Sequence, residues 1–321
     1  MKKLLLILPM LFLIIVSCED SFDPYGELKD KYVFSCVIRG DTTFQTAYVT
    51  QSYMVDNYEP YSNIQDPSIK NVQIRVWEED KVALFKDTTV GRAPDSKYKT
   101  PFSFYYNNNY QPKAGAKIEV EALLPTGKRL TSSTRVPYSI TFSKSNSDTN
   151  IRLTNDYVQV RWKTGQINPV FIPRMFIYYT KPVDGKQVRF SAVVPLNYVE
   201  FNGKSKPNYA KPSSDLAYSV EMKTFKKTME LISEGDPDKS KYIIYSTFVE
   251  VYSLDENLST YYNATARNND AYSVKLTETD FSNVLNGAGI FGVYMRNYYL
   301  LRMKHDFINS FGYTPGLSDV Q

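Results

Sequence analysis

Ile69-Lys70-Asn71-Val72-Gln73-Ile74-Arg75-Val76-Trp77 places Ile69, Val72, Ile74 and Val76 in a largely period-two pattern. An acidic turn, Glu78-Glu79-Asp80, follows, and Val82 to Phe85 then reads as the returning strand of a hairpin. The same grammar recurs on both sides. Between Lys31 and Arg39, Tyr32, Phe34, Cys36 and Ile38 alternate with Val33, Ser35, Val37 and Arg39, and residues 43–53 alternate again. Gly115 to Leu124 passes through Pro125-Thr126-Gly127 into Lys128 to Val136, a further hairpin. About seven strands at this spacing predict an Ig-like β-sandwich over residues 31–137. The composition agrees, because 27 tyrosines and 18 phenylalanines suit half-buried pleated surfaces better than helices.

Pro137-Tyr138 and the polar stretch 143–150 mark a boundary, after which a second β-rich domain is predicted over 138–303. Its strands are Tyr157 to Trp162, Arg174 to Thr180, Lys186 to Val194 after the turn Pro182-Val183-Asp184-Gly185, and Tyr242 to Tyr252. Residues 195–217, rich in Pro, Asn, Ser and Lys, predict a long loop. At Ser253-Leu254-Asp255-Glu256 the period changes in the form of a capping box, with serine as N-cap and glutamate at N3. Leu254, Leu258, Tyr261, Tyr262 and Thr265 then fall at helical spacing, so a short helix is predicted near 254–267. The expected fold is mainly β, with one or two short helices in the second domain and a C-terminal tail over 304–321.

The first residues carry a different kind of signal. Lys2 and Lys3 precede an apolar run from Leu4 to Val16 that is too short to span a bilayer comfortably. It ends in Ile15-Val16-Ser17-Cys18, the pattern of a bacterial lipobox, and no A-x-A-like site of an ordinary secretory peptide lies nearby. Residues 1–17 therefore read as a lipoprotein signal peptide and Cys18 as the acylated residue, with acyl chains holding the protein on a membrane. Glu19, Asp20, Ser21, Phe22, Asp23 and Pro24 open a lipidated tether over 18–30.

Removing Lys2 and Lys3 from the 38 basic residues leaves the remainder close to balance with 34 acidic ones, which points away from nucleic acid. With Cys18 committed to lipid, Cys36 has no partner for a disulfide. Its apolar, alternating neighbours make it a buried strand residue in preference to a reactive thiol.

Candidate chemistry is sparse. The single histidine, His305, excludes multi-histidine metal sites, and no G-x-S-x-G sequence accompanies it. Gly287-Ala-Gly289-Ile-Phe-Gly292 matches a dinucleotide fingerprint letter for letter, but Phe291 to Leu301 favours a strand where that fingerprint needs a helix. Glycines at a close approach between strands are the alternative reading. Asp236-Pro-Asp238-Lys-Ser240 and Asp148-Thr-Asn150 lack the remaining ligands of an EF-hand and read as solvated turns. No metal, no cofactor and no enzymatic activity are expected. Two aromatic clusters stand out, Phe102-Ser-Phe-Tyr-Tyr-Asn-Asn-Asn-Tyr110 and Asn297-Tyr298-Tyr299. Tyrosine beside asparagine suits recognition, so Tyr105, Tyr106 and Tyr110 are candidate ligand-binding residues for a small ligand, peptide or glycan. The competing reading fills a β core with them.

Three stretches resemble a family of Bacteroidota outer-membrane lipoproteins of unknown function, typically encoded beside TonB-dependent receptors. They are Cys18-Glu-Asp with Phe22-Asp-Pro24, Cys36-Val-Ile-Arg-Gly-Asp-Thr-Thr43, and Asn283-Val-Leu-Asn-Gly-Ala-Gly-Ile-Phe-Gly292. The last is similar to the family's Asn-Val/Ile-x-Gly-Gly-x-Gly-Val/Ile-Phe-Gly signature, with Asn286 where a glycine is usual. The resemblance implies a structural role for Asn283, Gly287, Gly289, Phe291 and Gly292. It also implies attachment to the outer membrane, facing the cell exterior, and a TonB-dependent β-barrel receptor as partner. The function expected on this basis is a non-enzymatic accessory or substrate-capturing subunit of a TonB-dependent transporter. The alternative is a surface structural or adhesive lipoprotein of the cell envelope.

Overall fold

The computed structural model describes residues 31–53, 59, 62–143, 150–201, 203–267 and 281–317. The expected leader over 1–17, the expected tether over 18–30 and Cys18 lie outside the described residues. The first eight strands are β1 (Tyr32–Arg39), β2 (Gln45–Gln51), β3 (Gln73–Glu78), β4 (Lys81–Leu84), β5 (Lys86–Val90), β6 (Phe102–Asn107), β7 (Lys117–Leu123) and β8 (Arg129–Arg135). Alternation decides which side of each strand is dry: in β1, Tyr32, Phe34, Cys36 and Ile38 are buried and the residues between them are not. The dry faces of β5-β6-β2-β1 and β4-β3-β7-β8 meet over one core that includes Phe34, Ile74, Val76, Ile118, Val120 and Leu130. All pairs within these two sheets are antiparallel, and the strand order is that of an Ig-like Greek-key sandwich. Cys36 lies in this core, where burial pushes its thiol far above the ordinary range, so it packs as a small hydrophobe.

The remaining strands are β9 (Thr141–Phe142), β10 (Asn150–Ile151), β11 (Tyr157–Lys163), β12 (Val170–Val183), β13 (Lys186–Val194), β14 (Asn197–Phe201), β15 (Lys204–Asn208), β16 (Ala217–Glu221), β17 (Ile243–Leu254), β18 (Ala288–Met303) and β19 (Thr314–Pro315). Three helices interleave with them, α1 (Met222–Leu231), α2 (Glu256–Arg267) and α3 (His305–Asn309). The protein is mainly β with few short helices. Strands β13-β12-β17-β18 form one sheet, which faces the small sheet β16-β11-β9 and helices α1 and α3. Trp162, Phe171, Met175, Phe225 and Phe307 are among the largest side chains sealed between them. Asp184 and Gly185, both at positive φ, close the two-residue turn between β12 and β13, the geometry that right-twisted hairpins require.

Strand β18 joins the two halves. Its first part, Ala288 to Tyr294, pairs parallel with β1, and its second, Tyr294 to Leu301, pairs antiparallel with β17. A single sheet therefore runs β13-β12-β17-β18-β1-β2-β6-β5 across the molecule. The sandwich expected over 31–137 is completed by residues from near the other end of the chain. Val284, Phe291 and Val293 enter its core, and β18 covers the edge that β1 would otherwise expose.

Other differences from the sequence reading have local causes. Residues 195–217 are not a loop throughout, because β14 and β15 pair as a hairpin. Their residues are almost all exposed, so no alternation marks them. Helix α1 has Glu221 at its N-cap and no side-chain cap bond, which is why no start signal announces it, yet Met222, Phe225 and Met229 seat one face in the core. The segment 304–321 is not a tail as far as residue 317. Phe307, Ile308 and Tyr313 are buried, β19 pairs with β17, and the Tyr313 hydroxyl donates to the Met229 carbonyl at 2.7 Å. His305 Nε2 lies 2.6 Å from the Leu317 carbonyl oxygen.

Candidate functional site

Of the expected ligand-binding tyrosines, two lie in the sandwich core. The Tyr105 hydroxyl donates to the Ile69 carbonyl at 2.7 Å and accepts from the Val72 amide at 3.0 Å, pinning the chain that enters β3. The Tyr110 hydroxyl donates to the buried Glu78 carboxylate at 3.1 Å, and that carboxylate also accepts from the Lys113 amide. Only Tyr106 reaches the outer face, where it stacks on Phe44 with centroids 6.0 Å apart. Strand phase separates them, since neighbours in β6 point to opposite faces. Tyr105→Phe is therefore expected to cost about 2 kcal/mol in urea denaturation, because a part-buried carbonyl and a buried amide lose their partner together. Tyr106→Phe should leave stability unchanged within about 0.5 kcal/mol.

The segment 283–292 sits at the junction of β1, β8, β18 and α2. Asn283 brackets Phe291: its Nδ2 donates to the Phe291 carbonyl at 2.6 Å and its Oδ1 accepts from the Phe291 amide at 2.9 Å. Gly289 has φ +116°, and a Cβ there would press into the Phe34 backbone. A Cβ on Gly287 would lie 2.9 Å from the Tyr32 carbonyl oxygen, and one on Gly292 would lie 2.5 Å from Leu258 Cγ. Asn286 adopts φ +61° and donates from Nδ2 to the Arg129 carbonyl at 3.0 Å. These residues let two backbones and a helix approach closely, and the segment runs directly into the strand β18 where a dinucleotide fingerprint would open a helix.

Next to this junction lies a groove of about 910 Å³ on the outer face of the long sheet. Segments far apart in the sequence form it. Ser35 and Val37 of β1 and Tyr48 of β2 present their solvent-side phase, and Ile172, Arg174 and Phe176 do the same from β12. Tyr252 of β17 and Tyr294 of β18 meet at 5.7 Å between them. Helix α2 overhangs with Tyr261 and Tyr262, and Leu254, Leu258 and Ile290 form the floor.

Asp255, not Ser253, caps α2: its Oδ1 accepts from the Leu258 amide at 2.8 Å, and its Oδ2 accepts from the Thr134 hydroxyl at 2.5 Å. Ser253 is still in β17, which runs two residues further than the capping-box pattern suggests. Burial pushes the Asp255 carboxyl up to about 6, against the pull of these donors.

A polar array lies on the same face. Asp41 accepts from Arg39 at 3.1 Å and from Arg296 at 2.9 Å, and Arg296 stands 3.6 Å from Glu250. Tyr252 donates its hydroxyl to Glu250 at 2.5 Å, and burial together with that carboxylate raises its phenol strongly. Beyond it Tyr178, Phe248 and Tyr298 continue the aromatic row, with centroids 5.5 and 6.0 Å apart. Tyr298 thus lies on the candidate face, whereas Tyr299 packs on Phe142 at 5.0 Å beside the second core.

The groove lining supplies hydroxyls, aromatic faces and one guanidinium, with no carboxylate, imidazole or thiol among its described residues. What it offers is binding area with a single positive charge. Among the described residues no group of three or more His, Cys, Asp or Glu side chains is placed to hold a metal ion. Sequence reasoning missed Arg174, Tyr252 and Tyr294. The available signal was that β12 and β17 carry large apolar residues on both phases, which a sheet with one wet face does not need. No protein-family model matches the chain, and no curated protein matches it significantly.

Proposed function

We propose that this protein is a lipid-anchored binding protein of the outer membrane, facing the cell exterior, which captures a ligand in the groove and passes it to a TonB-dependent β-barrel transporter as a non-enzymatic subunit. The observation that carries the capture reading is the groove itself, a concave, largely apolar site of small-molecule size on an otherwise two-layered β protein. The lipobox at Ile15-Val16-Ser17-Cys18 supports the anchor. The resemblance in segments 18–24, 36–43 and 283–292 supports the barrel partner. Groove and polar array lie on the solvent side of a sheet whose other side is sealed, so an incoming ligand needs no opening of either core.

The anchor is tested separately from the groove. Cys18→Ala is expected to abolish incorporation of radiolabelled palmitate and to leave the chain with its leader uncleaved. Labelling that persists in this variant would contradict acylation at Cys18.

A further inference from the structure

We propose that the groove selects a small organic anion with a flat apolar body, and that Arg174 reads its carboxylate. This rests on the capture reading above and specifies its ligand. Arg174 rises from β12 into the groove, where its Nη1 donates to the Pro173 carbonyl at 2.9 Å and to the Ala210 carbonyl at 2.7 Å. Its guanidinium carbon stands 5.9 Å from the Tyr209 ring centroid. A guanidinium has five N–H donors, and these two bonds occupy one nitrogen. The edge formed by Nε and Nη2 keeps its donors without an acceptor among the described residues. That edge is the fork that binds a carboxylate through two parallel hydrogen bonds.

The charge of Arg174 is likewise unmatched, since no carboxylate lies within 4 Å of it among the described residues. Glu250 is its register partner across β12 and β17, but it is turned to Arg296 and holds the Tyr252 hydroxyl. A cation in a largely apolar site is costly to leave unpaired, and an anionic ligand relieves that cost. The carbonyls of Pro173 and Ala210 fix the guanidinium before any ligand arrives, which limits the entropy lost on binding. The rest of the lining is suited to a flat body. Tyr252 and Tyr294 present ring faces at an interplanar angle of 59°, and Leu258 and Ile290 close the floor with aliphatic surface.

The test uses the full lipoprotein in phosphatidylcholine nanodiscs, titrated calorimetrically with 2-naphthoate and with its uncharged amide, 2-naphthamide, against empty discs. The wild type should bind naphthoate about tenfold or more tightly than naphthamide, as a charge-assisted pair requires. Arg174→Gln should bring the two probes to within about twofold of each other with naphthamide binding retained, and Arg174→Lys should restore part of the preference. Tyr252→Ala should weaken both probes together. Equal binding of acid and amide by the wild type, with Tyr252→Ala still weakening both, would overturn the anion inference and leave the groove as a capture site. Absence of binding by either probe would count against the inference and the capture reading alike.

Discussion

Gly289→Ala should destabilise the protein by about 3 to 5 kcal/mol in urea denaturation, the largest effect expected of any single methyl group added to this chain. Two costs combine there. The residue sits at φ +116°, which an L side chain rarely adopts, and its added Cβ would meet the carbonyl group of Phe34, which is backbone of the paired strand β1 and cannot rotate away. Gly127→Ala isolates the first cost, because φ there is +82° but the space around it is open. It should lose only about 1 kcal/mol. Because β18 serves both cores, Gly289→Ala should lower stability without splitting the unfolding transition. Similar losses in the two variants would mean that the close approach of β1 and β18 is not a constraint.

Asp255 provides the second large effect, and it depends on pH. Its carboxyl is pushed from the ordinary 3.8 up to about 6 in the folded chain. The folded state thus holds a proton that the unfolded chain releases at lower pH. The resulting stabilisation is fully present below about pH 4, falls as pH rises through 6, and is absent above it. Shifts of this size correspond to about 3 kcal/mol between the extremes and about 1.4 kcal/mol between pH 5 and pH 8. Other carboxylates titrate as well, including Asp236, which its Lys241 partner holds below the ordinary range. Subtracting the profile of Asp255→Asn removes them. Asparagine can still accept from the Leu258 amide and is a good N-cap. The wild type minus Asp255→Asn difference should therefore shift in favour of the wild type by about 1.4 kcal/mol on acidification from pH 8 to 5. A difference that stays constant across that range would place the Asp255 carboxyl at an ordinary value.

How much of this was legible in the sequence follows from which contacts are local. Alternation in 31–39 and 69–77, and turn residues such as Asp184-Gly185, identify strands and hairpins because their causes lie within a few residues. Helix α2 was legible from Leu258 and Tyr261 for the same reason, although the cap moved to Asp255 once β17 claimed Ser253. Partners distant in sequence leave no such trace. Nothing in Tyr32 to Arg39 announces that Ala288 to Tyr294 will pair with it, so the completion of the sandwich by β18 appears only in three dimensions.

The groove is hidden for the same reason, its walls coming from 35–48, 172–176, Val193, Tyr209, 252–262 and 290–294. Tyr105 and Tyr110 illustrate the converse. A run rich in Tyr and Asn resembles a recognition surface, but strand phase turns Tyr105 inward and a hydrogen bond to buried Glu78 fixes Tyr110. The glycines of 287–292 were informative in kind, as a close approach of backbones, while their partners Phe34, Tyr32 and Leu258 were not readable.

The proposed partnership with a TonB-dependent transporter is tested by gentle detergent extraction of the tagged full chain from its native envelope, followed by mass spectrometry of what co-purifies. A TonB-dependent β-barrel at near-equal abundance with the tagged chain is the expected result. Recovery of the tagged chain alone, or with matrix components and no barrel, would contradict the proposed partnership.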